Sequence, residues 1–169
     1  MTHQRRLRHH GSAVVVIPIV GETLTLLIRE GHKSLKYWKF IAETVEEGES
    51  VLDTLCRGVD EEAGLKLRTK SYEGHVIEII DPRVAFVRSL ISPCMVKSAF
   101  PHMRYFWGLS TSDEVISSLS GKHLSVDADE SIYTQAFELS ELERMSDFLP
   151  QHRRLVEQIP WKSGSATIE

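Results

Sequence analysis

ETVEEGESVLDTLCRGVDEEAGL, residues Glu43–Leu65, joins a well-delimited amphipathic helix to a dense run of carboxylates. Ser50 is a favourable N-cap, and Asp53 three residues on makes a near capping box. Leu52, Leu55, Cys56, Val59 and Ala63 recur at three- and four-residue spacing, the apolar stripe of a helix over 51–63. Gly64 suits the left-handed position just past its end. Asp53, Arg57 and Glu61 fall at i, i+4 and i+8 on the polar side, placed to support one another electrostatically. Glu61 and Glu62 are neighbours about 100° apart on the last turn. Carboxylates there meet the negative end of the helix dipole, a cost that a divalent cation would offset. Taken alone, this pair reads best as a solvated acidic face.

The stretch resembles the box of the Nudix hydrolases, G-x5-E-x7-R-E-U-x-E-E-x-G-U, with U aliphatic. Glu49, Arg57, Val59, Glu61, Glu62, Gly64 and Leu65 fall on the pattern, whereas Glu43 stands at the opening glycine and Gly58 at the carboxylate after the arginine. The resemblance implies an α/β fold, an α/β/α sandwich with a mixed β-sheet. It also implies hydrolysis of a nucleoside diphosphate linked to another moiety, with Mg2+ as cofactor and Mn2+ as the alternative. Such an ion takes hard oxygen ligands, polarises phosphoryl oxygens and lowers the pKa of bound water. Carried over to this chain, Glu61 and Glu62 are metal ligands, and Glu61 is also catalytic. Glu49 either shares the metal or is held at one remove by Arg57, whose planar fork orients carboxylates. The partner implied is a small nucleotide-like substrate. Members are often homodimers, an assembly on which the sequence is silent.

The two departures open alternatives. Glycine inside a helix costs ~1 kcal/mol against alanine. Gly58 therefore marks either close packing against a neighbouring segment or a metal site short of one carboxylate. On the second reading, Gly58→Glu is expected to be at least as stable in the presence of Mg2+ and to bind the ion more tightly. Glu43 either replaces the lost carboxylate in space or points into water. Glu130, after Asp127 and Asp129 and before the last strand, is the candidate catalytic carboxylate from outside the box, against a plain solvated loop. Trp38 is a candidate to stack on a base, although a core role is commoner for tryptophan. Arg29 and Lys39, with His32, Lys33 and Lys36 nearby, are candidates to meet phosphates. The function is thus a diphosphate hydrolase, attenuated by Gly58, or a weak or inactive Nudix domain that binds a nucleotide-like ligand or a protein.

Composition bounds these readings. The 169 residues are enough for one domain with a sizeable core, and 41% apolar with 26% charged residues is ordinary for a globular chain. A net charge of −4 gives no general attraction to nucleic acid. Cys56 and Cys94 are too few for a disulfide framework, and no apolar run reaches a membrane span. The basic start, MTHQRRLRHHG, has no apolar segment of the secretory kind, so a cytoplasmic protein is expected. The division expected is a basic tail over 1–11, a domain over 12–160 and a tail over 161–169. Strands are expected at Ser12–Val20, Leu24–Arg29, Tyr37–Ala42, Lys66–Glu73, His75–Ile80, within Val84–Val96, at Tyr105–Leu109 and at Ser131–Glu138. Helices are expected at Glu114–Leu119, from Ser140 by a Ser-x-x-Glu cap, and from Pro150 through Leu155 and Ile159.

Overall fold

Pro18, which has no N–H to donate, divides the expected first strand and forks the sheet. A computed structural model describes residues 13–31, 37–94, 102–127 and 130–156. In it β1 (Val14–Ile17) and β2 (Ile19–Val20) flank the proline. Both run parallel to β8 (His102–Ser110), and the Leu109 N–H donates to the Pro18 carbonyl at 2.8 Å. Their other edges part company. β1 pairs antiparallel with β4 (Ile41–Thr44), and β2 pairs antiparallel with β3 (Leu24–Glu30). β3 continues the sheet to β10 (Glu130–Glu138) and β9 (His123–Asp127), while β7 (Ala85–Cys94) pairs with β8. Parallel and antiparallel pairs thus share one sheet, as expected. A separate hairpin comprises β5 (Thr69–Tyr72) and β6 (His75–Ile79).

Alternation along β1 sends side chains to two cores. Val15 and Ile17 pack with Leu55, Val59 and Ala63 of α1 (Val51–Ala63), and Ile116 and Leu119 of α2 (Asp113–Leu119) join the same core. Val16 faces the other way, with Val20, Leu27, Trp38, Phe40, Leu142 and Phe148. This second face is covered by the segment after β10, a 3-10 turn at Leu139–Glu141 and then α3 (Pro150–Val156). The result is the expected α/β/α arrangement, with β1 buried on both faces.

Four local expectations are corrected. No α-helix starts at Ser140: the segment makes one 3-10 turn without a side-chain cap, because Leu142 and then Phe148 must both enter the second core. His123–Asp127, where no strand was expected, is a strand held along β10 by backbone pairing. Tyr37–Ala42 is not a continuous strand. Trp38 and Lys39 form isolated bridges to Phe148 and Ile28, and β4 begins only at Ile41. Finally, Asp53 does not support Arg57. The capping box closes, with Ser50 Oγ accepting from the Asp53 N–H at 3.0 Å and the Ser50 N–H donating to Asp53 Oδ2 at 2.9 Å. The Asp53 carboxylate then turns to the hairpin, accepting from the Val76 N–H at 2.7 Å and meeting His75 Nδ1 at 2.6 Å. The expected tails over 1–11 and 161–169, and Ile159, lie outside the described residues.

Asp53 carries a pH expectation. Desolvation raises its pKa, but the bonds from His75, Val76 and Ser50 lower it more, from 3.8 to about 2. A depressed carboxyl stabilises the fold above the unfolded value and loses that contribution as pH falls through 3.8 toward 2. Asp53→Asn is therefore expected to flatten the acid limb of the stability curve and to speed amide exchange at Val76. An unchanged acid limb would show that the hairpin docks without this carboxylate.

Candidate active site

The register of β1 against β4 decides what faces the box helix. Val15 pairs with Glu43 and Val16 with Ala42, and residues paired across strands share a face. Val15 lies on the α1 side, so Glu43 does too. Ala42 shares the opposite side with Val16. Gly58 is the buried α1 residue that meets Glu43: a Cβ built on Gly58 would lie 3.3 Å from Glu43 Cβ and 3.3 Å from Ile17 Cδ1. Of the two readings of Gly58, close packing is the one seen, and what packs there is a strand carboxylate. For Gly58→Glu to be at least as stable, Glu43 and Ile17 must each give way by a few tenths of an ångström.

Arg57 gathers the carboxylates around it. Its Nε and Nη2 donate to Glu49 Oε2 and Oε1 at 2.8 and 2.9 Å, and Nη2 also donates to the Thr44 carbonyl at 2.9 Å. Its Nη1 lies 3.1 Å from Glu43, 3.6 Å from Glu61 and 3.8 Å from Glu46. Burial alone would lower the pKa of Arg57, yet Glu49 and Glu43 hold it above its usual value. Burial likewise raises the pKa of Glu49, but Arg57, the Glu46 N–H and Thr54 outweigh it and keep the carboxyl below its usual range. Both Glu49 oxygens serve this junction, and Oε1 also accepts from the Glu46 N–H at 2.9 Å and from Thr54 at 3.1 Å. Of the two roles open to Glu49, being held by Arg57 is the one the geometry displays.

Glu62 is the anomaly. Only 8% of the residue is exposed, and its Oε2 has no hydrogen-bond partner. Desolvation first, then the charge of Glu43, push its carboxyl well above the usual value; Glu30 and Glu61 add to this and Lys39 opposes it. A buried carboxylate oxygen without a donor, among other carboxylates, fits a hard divalent cation. Among the described residues no three carboxylate, imidazole or thiolate groups converge on one point as arranged. The fit therefore lies in the donor chemistry rather than in a closed cage.

On the second face lies a cavity of about 510 Å3 lined by Val14, Val16 and Ala42, and by Glu30, Tyr37, Lys39 and His152 among its polar groups. Lys39 Nζ binds Glu30 at 3.1 Å. The charges of both act on Glu62 as well. His152, at the start of α3, accepts from the Phe40 N–H at Nδ1, 3.1 Å away, and stacks on the Phe40 ring.

The structure thus brings together Arg57, Glu49, Glu61 and Glu62 at the box and sets Lys39 at the cavity. Trp38 and Arg29 fall elsewhere. Trp38 is a buried core ring packed edge-on against Phe137, and the Arg29 guanidinium covers its face at 4.8 Å. A base could stack on that face only by displacing Arg29. Glu130 opens β10, but its side chain lies outside the described residues, as do His32, Lys33 and Lys36. Sequence reasoning missed Glu30, Tyr37 and His152. Their convergence depends on contacts such as Phe40–His152, far apart along the chain.

Comparison with known proteins agrees with this arrangement. The family model described as NUDIX domain matches residues 9–158. The chain belongs to the NUDIX family. No curated protein matches it in sequence. Its fold resembles that of a NUDIX-family hydrolase from Clostridium perfringens, at 17% identity and TM-score 0.53 over 86% of this chain and 93% of that one. It also resembles the E. coli ORF135 protein, at 17% identity and TM-score 0.50 over 86% of each chain. A UDP-X diphosphatase is similar at 14% identity and TM-score 0.53, over 93% of this chain and 68% of that one. At such identities the likeness is one of fold. No helix among the described residues is long and apolar enough to cross a membrane.

Proposed function

We propose that this protein is a divalent-cation-dependent hydrolase that cleaves the diphosphate bond of a nucleoside diphosphate linked to another moiety. The observation that carries the reading is the buried, donor-less oxygen of Glu62 among the box carboxylates; Glu30 and Lys39, whose charges act on it, line a cavity of about 510 Å3. Glu61 and Glu62 hold the cation, Mg2+ or Mn2+, and Glu49 acts at one remove through Arg57. When bound, the ion neutralises phosphate charge and lowers the pKa of a water. The chain's own part is positional. Arg57 ties α1 to the segment before it through Glu49 and the Thr44 carbonyl, which fixes the position of α1 against β4. Lys39 lines the cavity within electrostatic reach of Glu62 and supplies positive charge to an entering phosphate. Glu130 is the proposed general base from outside the box. The substrate is a small nucleotide-like molecule in a soluble, cytoplasmic setting, with a homodimer as the assembly to be tested.

The test is a Mg2+-dependent hydrolysis screen over nucleotide sugars, dinucleoside polyphosphates, ADP-ribose and nucleoside triphosphates, with products separated by chromatography. Turnover is expected on at least one class and should vanish in EDTA. A second reading, a ligand-binding Nudix domain without turnover, draws on the strong engagement of the carboxylates by Arg57 and on Gly58. Saturable binding of a nucleotide with no cleavage in any class would favour it and end the first.

A further inference from the structure

We propose that Glu43, from β4, supplies the cation-facing carboxylate that the box lacks at Gly58: glycine and glutamate have exchanged places across the contact between strand and helix. The inference rests on the hydrolase reading above and deepens it. The chain departs from the box pattern at two positions, and these two face each other. Cβ and Cγ of Glu43 lie 3.3 and 3.5 Å from where a Gly58 Cβ would stand. A Cβ there would be tighter than ordinary van der Waals contact on two sides, against Glu43 and Ile17, and a second glutamate would add a like charge. The space therefore takes one acidic side chain, and here it comes from the strand. The Glu43 side chain is only 15% exposed and is held by Arg57 at 3.1 Å. After desolvation, its charge is the foremost acting on Glu62, whose buried Oε2 has no donor. Glu43 of the strand and Glu61 of the helix meet at the same Arg57 Nη1, at 3.1 and 3.6 Å, so carboxylates from the two elements converge beside Glu62. A cation there would draw an oxygen from the helix and one from the strand.

The test is Mn2+ binding to the full chain, followed by calorimetry and by water-proton relaxation, with thermal melts in EDTA for each variant. Wild type is expected to bind Mn2+, and Glu43→Gln about tenfold or more weakly. Gly58→Glu alone is expected to melt several degrees below wild type. The exchange variant, Glu43→Gly with Gly58→Glu, is expected to recover Mn2+ affinity and most of the melting temperature, since Glu43→Gly removes the contact and the like charge and leaves only the contact with Ile17. If Glu43→Gln binds Mn2+ as tightly as wild type, Glu43 is only a partner of Arg57 and the exchange is wrong, while the hydrolase reading stands. An exchange variant that folds but does not recover affinity overturns it in the same way. A wild-type protein that binds no Mn2+ overturns the inference and the hydrolase reading together.

Discussion

Glu62→Gln is expected to raise the melting temperature in EDTA while cutting Mg2+-dependent turnover about a hundredfold, if a cation supplies several kcal/mol of transition-state stabilisation. The two effects have one cause. Desolvation, with Glu43 the foremost neighbouring charge, holds the Glu62 carboxyl well above its usual 4.5. Below that pH the group is protonated whether the chain is folded or not, and it costs nothing. Above it the unfolded chain releases the proton while the native state keeps it, so native stability falls with rising pH. The loss is at most ~1.4 kcal/mol per pH unit and continues until the raised folded value is passed. Glutamine does not titrate. The gain in melting temperature should therefore be near zero in mild acid and grow toward neutrality, by roughly 2–4 °C for each kcal/mol in a domain of this size. Mg2+ should stabilise wild type and not the variant, because an ion that binds only the native state shifts folding by mass action. Superimposable melting curves at every pH would mean that Glu62 is solvated and that no cation is needed there.

How much of this was legible in the chain depends on the range of the contacts. α1 could be read almost whole, because its cap, stripe and terminating glycine are local: Ser50 and Asp53 close the box, and Gly64 takes a φ of +70°. The doubly buried β1 was legible from its run of valines. Its interruption was less so, since Pro18 looks like any edge proline until β3 and β4 are seen to take separate partners. Asp53 could not be assigned from helix spacing, because the competing donors come from a hairpin that the spacing does not contain. The pairing of Glu43 with Gly58 needed the antiparallel register that sets Val15 opposite Glu43. Read along the sequence, the two departures looked like separate losses. Read across the strand, they meet. The cavity was the least legible feature, because Glu30, Lys39 and His152 are brought together by chain segments that share no local pattern.

Arg57→Ala should be the most damaging of the single changes at the site, costing about 3 kcal/mol, since removing one partner of a buried ion pair leaves the other charge uncompensated. Four carboxylates lie within 4 Å of the guanidinium, namely Glu43, Glu46, Glu49 and Glu61. With the side chain only 17% exposed, water can replace little of what is lost. The same change frees the Thr44 carbonyl and the loop that carries Glu49. A fall in melting temperature of roughly 6–12 °C follows from that energy at this chain length. Arg57→Lys should recover only part of it, because an ammonium cannot bond both Glu49 oxygens and the Thr44 carbonyl in one plane. Raised salt should narrow the gap between Arg57→Ala and wild type only in part, since it screens the unmasked repulsion mainly at Glu46 and Glu61, the more exposed of the four. If Arg57→Ala melts with wild type at low salt, the carboxylates are spread into solvent, and the close cluster on which the cation site depends does not form.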